Sequence, residues 1–326
     1  MPNRRSPPGP HHLLALALAA ALTAPAAPAR AEACAATESQ ALPEALPMRD
    51  FAARLGERID ACAADARRPD AERFCAEHGL ECGAGRVRDY VRVRTLFEMT
   101  RDGGPFRLRW SITDRNPTAW HIWAAWRQSP PLASSAGPSA TAECDELSAL
   151  FAGLARRLDV RGVGLFWPTW NHTIAAWDVA PSVRVLVPTS QIFLSCDATF
   201  DRTTFLPSKQ RVVYELRPTD ALDSVPVPRP LATFLLEQVA HYAGASLDVL
   251  AMIRTHRALR YGSSVPASCG EGAAAAAKAL RARPLSPADR RALARYGATE
   301  LGLAAPSAEA TLAQIAALSP RPGRDG

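Results

Sequence analysis

The stretch that most limits what this chain can become runs from Thr141 to Leu158, TAECDELSALFAGLARRL. Leu147, Leu150, Phe151, Leu154 and Leu158 recur at three- and four-residue steps, so on a helix they form one apolar stripe. A stripe of that width must be covered, so the helix is expected to lie against a sheet or other helices. Thr141 is the expected N-cap, its hydroxyl accepting from backbone N–H groups of the first turn. Cys144 then falls within that turn, where the positive end of the helix dipole favours the thiolate, the nucleophilic form of cysteine. A nucleophile reading of Cys144 follows, and it requires a base and a group that orients the base.

Seven cysteines are present: Cys34, Cys62, Cys75, Cys82, Cys144, Cys196 and Cys269. An odd count in an oxidising compartment is most simply three disulfides and one thiol left for chemistry. The cluster Cys62, Cys75 and Cys82 suggests a local bridge. Cys196 with Cys269 would tie the late part of the chain to the strand region, and the competing assignment has Cys144 itself bridged. Zinc is disfavoured, because no close cysteine pair or histidine stands at ligand spacing. No cofactor or metal is expected.

The oxidising compartment is itself inferred from residues 1–31. Arg4 and Arg5 precede the apolar run LLALALAAALTA, and the small-residue site Ala29-Arg30-Ala31 follows. This is the pattern of a signal peptide, and the run is too short to span a bilayer. A secreted or periplasmic location is expected, with lipidation at Cys34 as the weaker alternative. Removing Arg4, Arg5 and Arg30 takes the net charge from +6 to +3. So mild a basic excess suits an anionic envelope surface and calls for no nucleic acid. No integral membrane segment is expected after cleavage, and the oligomeric state is left open.

Five segments are expected: 1–31 signal, 32–128 a mixed region with the cysteine cluster, 129–222 a catalytic core, 223–319 helical, and 320–326 a disordered tail. Met48–Ala66 and Pro69–Glu77 are expected to be two helices. In 86–112 the alternation Tyr90-Val91-Arg92-Val93-Arg94 favours a strand, while Leu96 and Phe97 also suit a helix. Arg86, Arg88, Arg92 and Arg94 are expected to form a solvated charged face rather than an anion site. Arg101-Asp102-Gly103-Gly104 reads as a turn. Asn116-Pro117 opens a helix bearing Trp120, Trp123 and Trp126. Trp123 and Trp126 share a face that suits core packing, with the wall of a substrate groove as the functional alternative; Asn171 and Trp177 are further groove candidates. His121 and His241 are assigned to surface or packing. After residue 160 the period changes to that of strands, over 160–170, 171–179, 183–187, 191–196 and 210–216. Helices return over 230–243, 247–260, 270–283, 286–302 and 307–318. One helix followed by four or five strands is an α+β arrangement, most simply a helix on an antiparallel sheet.

His172, on a strand, and Asp197, after a later strand, complete the chemistry. A histidine beside Cys144 would take the thiol proton, and a carboxylate would fix the imidazole tautomer. Asp178 and Asp201 are rivals for the orienting role. Three segments then resemble the transglutaminase-like superfamily of papain-fold cysteine enzymes. Cys144 to Val160, CDELSALFAGLARRLDV, follows that superfamily's cysteine helix. Asn171-His172-Thr-Ile-Ala-Ala-Trp177 stands for its histidine strand, with the aromatic further from the histidine than usual. Cys196-Asp197-Ala198-Thr199 stands for its aspartate turn, and Ala142 takes a position commonly held by glycine. The resemblance covers about a quarter of the chain. It implies a papain-like core, a Cys144–His172–Asp197 triad, and oxyanion stabilisation partly from the Cys144 N–H. The implied activity is acyl transfer from amide bonds of peptides or proteins through a thioester, ending on water or an amine. The alternative is a catalytically inactive member of the same fold, kept as an envelope binding or scaffolding protein.

Overall fold

The computed structural model describes residues 34, 42–113, 118–128, 136–169, 172–190, 225–261 and 267–317. The architecture is mixed helix and sheet, with the sheets small. Helix α1, Met48–Glu77, buries Phe51, Leu55, Ile59 and Phe74. Two helices were expected here, with Pro69 opening the second; instead Pro69 lies inside one helix. Proline removes one backbone donor at that point. Burial on both sides of it, at Ala63, Arg67, Ala71 and Phe74, holds the two halves in line.

Helix α2, Ala84–Thr100, replaces the strand suggested by the alternation at 90–94. The alternation misleads because the second half of this helix is buried nearly all round, Arg94 included: Arg94 pairs with Glu98 at 2.9 Å, one helical turn on. The expected solvated basic face is present only in part: Arg88 is exposed beside Asp89, whereas Arg92 and Arg94 turn inward. Arg92 grips the Asp60 carboxylate at 3.1 and 2.6 Å and donates to the Leu158 carbonyl at 2.6 Å. The turn at 101–104 is present, with Gly103 left-handed at φ 71°. Gly104 has no room for a side chain, since a Cβ there would stand 2.5 Å from the Glu98 carbonyl oxygen.

Three small sheets follow. β1 (Ala45–Leu46) pairs antiparallel with β7 (Val227–Pro228), and β2 (Leu108–Trp110) pairs parallel with β3 (Ala140–Ala142). The third holds β4 (Val163–Thr169), β5 (His172–Ala180) and β6 (Val183–Val187), all antiparallel with β5 central. The expected strands at 160–170, 171–179 and 183–187 are therefore present, while those at 191–196 and 210–216 lie outside the described residues. So does Asn116-Pro117; helix α3 is described from Trp120 to Gln128.

Helix α4, Cys144–Arg157, covers the sheet with its apolar stripe: Leu147, Leu150, Phe151 and Leu154 are all buried. The sheet's residues divide by parity. Leu165, Ala175, Trp177, Val185 and Val187 join the main core with α4. Phe166, Ile174 and Ala176 form a second, smaller cluster. Beyond β7 come helices α5 (Arg229–Tyr242), α6 (Leu247–Arg260), α7 (Ala267–Arg281), α8 (Pro287–Tyr296) and α9 (Ala308–Ala316). A single wide turn, Gly297–Leu301, extends α8. All five expected C-terminal helices are present, and their apolar faces belong to the same main core as α1, α2 and α4. Among the described residues no helix is long and apolar enough to cross a membrane.

Cys34 pairs with Cys62 and Cys75 with Cys82, so the cysteine cluster holds the local bridge expected of it. A bridged Cys34 has no sulfur left for a lipid, which removes the lipidation alternative. Cys269 is also disulfide-bonded, with a partner outside the described residues. Two disulfides and no membrane-spanning helix among the described residues are compatible with an exported protein.

The C-terminal helices are fastened to α2's turn by a buried ion pair. Arg257 meets Glu300 through two bonds, 2.7 and 2.6 Å, and donates to the Gly103 carbonyl at 2.7 Å. Glu300→Gln leaves the guanidinium buried without its counter-charge, and urea unfolding is expected to show a loss of about 3–5 kcal/mol. The double variant Arg257→Met/Glu300→Leu, which removes both charges, should lose clearly less. Equal losses would show that shape rather than charge governs this contact.

Candidate functional site

Cys144 is the first residue of α4. The cap is Glu143, not Thr141, which lies within β3 paired with Arg109. The extended β3 backbone runs up to the helix and leaves the capping position to Glu143. The Glu146 carboxylate reaches back to the Glu143 N–H at 2.9 Å, satisfying one of the donors a helix start leaves open.

Among the described residues Cys144 is the free cysteine. Its sulfur accepts from the backbone N–H groups of Thr173 and Asp145. The Thr173 contact fixes where the thiol sits. In β5 the Asp178 N–H bonds to Gly162 ahead of β4, so even-numbered residues turn their backbone groups toward β4 and odd-numbered ones toward β6. β6 stops at Val187, opposite Ala175. At Thr173 the start of α4 takes the place that strand would have filled. The Ser148 hydroxyl stands 2.6 Å from the Cys144 carbonyl oxygen, 3.2 Å from that of Thr173 and 2.9 Å from the Thr189 hydroxyl. Cys144 thus meets the edge of β5, level with the strand rather than above either face, one residue from His172.

His172 opens β5 and is 6% exposed. Alternation gives its side chain the face of Ile174 and Ala176. That is the face opposite the one α4 covers, and the groups that shift the Cys144 and His172 pKa values do not include each other. Asp197, Asp201, Cys196 and Asn171 lie outside the described residues. Asp178 is no orienter of His172: it stands six residues down β5, about 20 Å away at strand rise, and pairs with Arg184 at 2.6 and 3.1 Å.

The three tryptophans proposed as groove walls are core residues. Trp123, Trp126 and Trp177 are 6%, 2% and 3% exposed. Trp123 and Trp126 pack edge to face at 5.1 Å, and the Trp126 Nε1–H donates to Ser139 Oγ at 3.0 Å. Trp177 stacks on Phe74 at 6.0 Å. On α3, Trp123 meets Phe51 of α1 and Trp126 meets Phe106, both edge to face.

The electrostatics oppose the thiolate expected from the helix start. Burial pushes the Cys144 thiol up to about 11, and the Asp145 and Glu143 carboxylates add to the rise against the two amides that lower it. Burial also pushes His172 down to about 4. At neutral pH both partners are therefore uncharged. Asp145 is raised to about 6, chiefly by burial and then by the carboxylates of Glu143 and Glu146.

One residue here is missed by sequence reasoning. His121, assigned to surface or packing, holds Glu146 with Nδ1 at 2.8 Å from Oε1. Glu146 is 1% exposed and also accepts from the Thr113 hydroxyl at 3.3 Å. The partners lie 25 positions apart, and no local pattern links them. The helix periodicity gives only a hint, since Glu146 sits inside the buried part of α4.

Because the thiol must lose its proton to react and its pKa is raised to about 11, alkylation by iodoacetamide is expected to be slower than that of a free thiol at pH 7 and to climb until about pH 11. A rate that levels off near pH 8 would mean the sulfur is far better solvated than its packing implies. Set against family models, curated proteins and solved structures, this chain matches none of them.

Proposed function

We propose that this chain is an exported thiol enzyme of transglutaminase-like type, acting on amide bonds of peptides or proteins in the secreted or periplasmic space. Cys144 is the nucleophile, His172 the base, and Asp197 the group that orients it. The observation that carries this reading is the Thr173 N–H on the Cys144 sulfur, which sets the thiol beside the first residues of the histidine strand. The Cys144 thiol is neutral at rest, so its proton passes to His172 while sulfur attacks the carbonyl carbon. The imidazolium then gives that proton to the leaving amine. The developing oxyanion lies before the first turn of α4, where open backbone N–H groups and the dipole favour negative charge. Water completes hydrolysis of the thioester; an amine in its place completes transamidation, and the absence of a dedicated amine pocket in the sequence favours water.

A second reading has a specific observation behind it. A thiol raised to about 11 and a histidine lowered to about 4 work against a thiolate–imidazolium pair, as befits a binding or scaffolding protein that keeps the fold without the chemistry. The mature protein should be assayed on a panel of peptide and protein amides. Cys144→Ala is expected to abolish turnover, and His172→Gln to lower it by about 10²–10⁴-fold. Undiminished turnover in Cys144→Ala would end the enzyme reading, and an inert wild type with an intact fold would leave the scaffold.

A further inference from the structure

The chain has seven cysteines. Cys34 pairs with Cys62, Cys75 pairs with Cys82, and Cys144 is a free thiol. Cys269 is disulfide-bonded. With those six placed, Cys196 is the one sulfur of the chain left for Cys269 to hold. Cys196 lies outside the described residues, and the residue after it is Asp197.

Cys269 is the third residue of α7 and is 1% exposed. With Met252, Thr255 and Ala273 it lines a cleft between α6 and α7. A disulfide keeps its two Cα atoms about 4.4–6.8 Å apart, and the next Cα follows about 3.8 Å on. A bond from Cys269 to Cys196 therefore holds the Asp197 Cα within about 11 Å of that of Cys269. The chain ahead of this stretch is fixed as well. The Thr189 carbonyl accepts from the Asp102 N–H at 2.9 Å, and the Thr189 hydroxyl meets that of Ser148 at 2.9 Å. The seven steps from Thr189 to Cys196 (196 − 189) thus run between two anchors, one beside α4 and one on α7.

We infer that Cys269 is bonded to Cys196 and that this bond is a redox-sensitive brace for Asp197. The inference rests on the thiol-enzyme reading above, in which Asp197 orients His172. Oxidised, the bond ties the aspartate's stretch of chain to α7. A dithiol opens it: one reductant thiolate bonds to a bridge sulfur as the S–S bond breaks, and the second then closes the reductant's own disulfide. Two electrons and two protons pass to the protein, which gains the Cys196 and Cys269 thiols. Asp197 then loses its brace, and His172 loses the carboxylate that fixes its tautomer. Cys196 and Cys269 are positioning residues, acting through Asp197. The site asks for two cysteine states at once, with Cys144 reduced and the Cys196–Cys269 pair oxidised.

Trypsin cuts after Arg184, Arg202, Arg260 and Lys278, so Cys196 and Cys269 fall in separate peptides, 185–202 and 261–278, with one cysteine each. Digestion of the unreduced mature protein is expected to give these two joined and to part them on reduction. Cys196 carrying an iodoacetamide label, or joined elsewhere, overturns the pairing. With p-nitrophenyl acetate as acyl donor, the nitrophenol burst then reports acylation of Cys144. Cys196→Ser/Cys269→Ser is expected to slow the burst by about 10²-fold, and Asp197→Asn to slow it at least as much. In the Asp197→Asn background, removing the bridge should cost little more, because the braced group is already gone. Losses that multiply would mean the bridge supports only the fold, and an unslowed burst in either variant would mean there is nothing to brace; both overturn the proposal. If the double variant does not fold, the wild type opened with dithiothreitol and reoxidised gives the same reading: the burst must fall, and return with the joined peptides. A burst that survives in Cys144→Ala ends the thiol-enzyme reading and the brace with it, though the joined peptides would stand. A burst that needs Cys144 but ignores the bridge refutes the brace alone.

Discussion

The start of α4 depends on one buried carboxylate. Glu146 has three partners, from Thr113, His121 and the Glu143 backbone, which belong to three separate stretches of chain. A carboxylate taken out of water costs several kcal/mol unless its acceptor sites are filled. Here the filling groups and the helix dipole supply that compensation. The same contacts decide where β3 ends, where α3 sits and where the cysteine at the first position of α4 stands. Ser148, one turn further on, does the corresponding work on the other flank by joining Cys144, Thr173 and Thr189. Between them the two side chains fix the helix end against the sheet edge.

This arrangement explains why burial outweighs the dipole at the thiol. A helix start favours negative charge, but only when the charge keeps some contact with water or with enough donors. At Cys144 two amides face the sulfur while Asp145 and Glu143 stand beside it, and the net effect raises the pKa. The acidic residues that stabilise the helix through its dipole are the ones that discourage a second negative charge next to them. Stability of the terminus and readiness of the nucleophile therefore pull in opposite directions at this position.

Periodicity made α4 and the strands over 163–187 legible because each buries one stripe or one face. The C-terminal helices were legible for the same reason, aided by prolines and serines near their starts. α2 was not, since its second half is surrounded by protein and shows no polar side there, and Arg94 and Arg92 are satisfied by Glu98 and Asp60 rather than by water. Pro69 misled because a local rule about proline gives way to burial on both sides of it. Cys144 and His172 were legible as residue types, but their ionisation depends on depth and on neighbours that no spacing encodes. His121 is the partly exposed helix residue expected, but its contact with Glu146 was not legible because that partner lies on another helix. Trp123, Trp126 and Trp177 show the converse: aromatic spacing alone does not separate a groove wall from a core, and here all three are core.

The disulfides and the free thiol among the described residues bear on each other. Disulfide exchange proceeds through a thiolate, and its rate falls with the fraction ionised. A chain that forms Cys34–Cys62 and Cys75–Cys82 while keeping Cys144 reduced must stop that sulfur from invading its own bridges. Holding the half-buried thiol beside two carboxylates, which raises its pKa, works against that invasion by keeping the thiolate scarce. The scarcity of thiolate that burdens its attack on a substrate is also what favours its survival unpaired among oxidised neighbours.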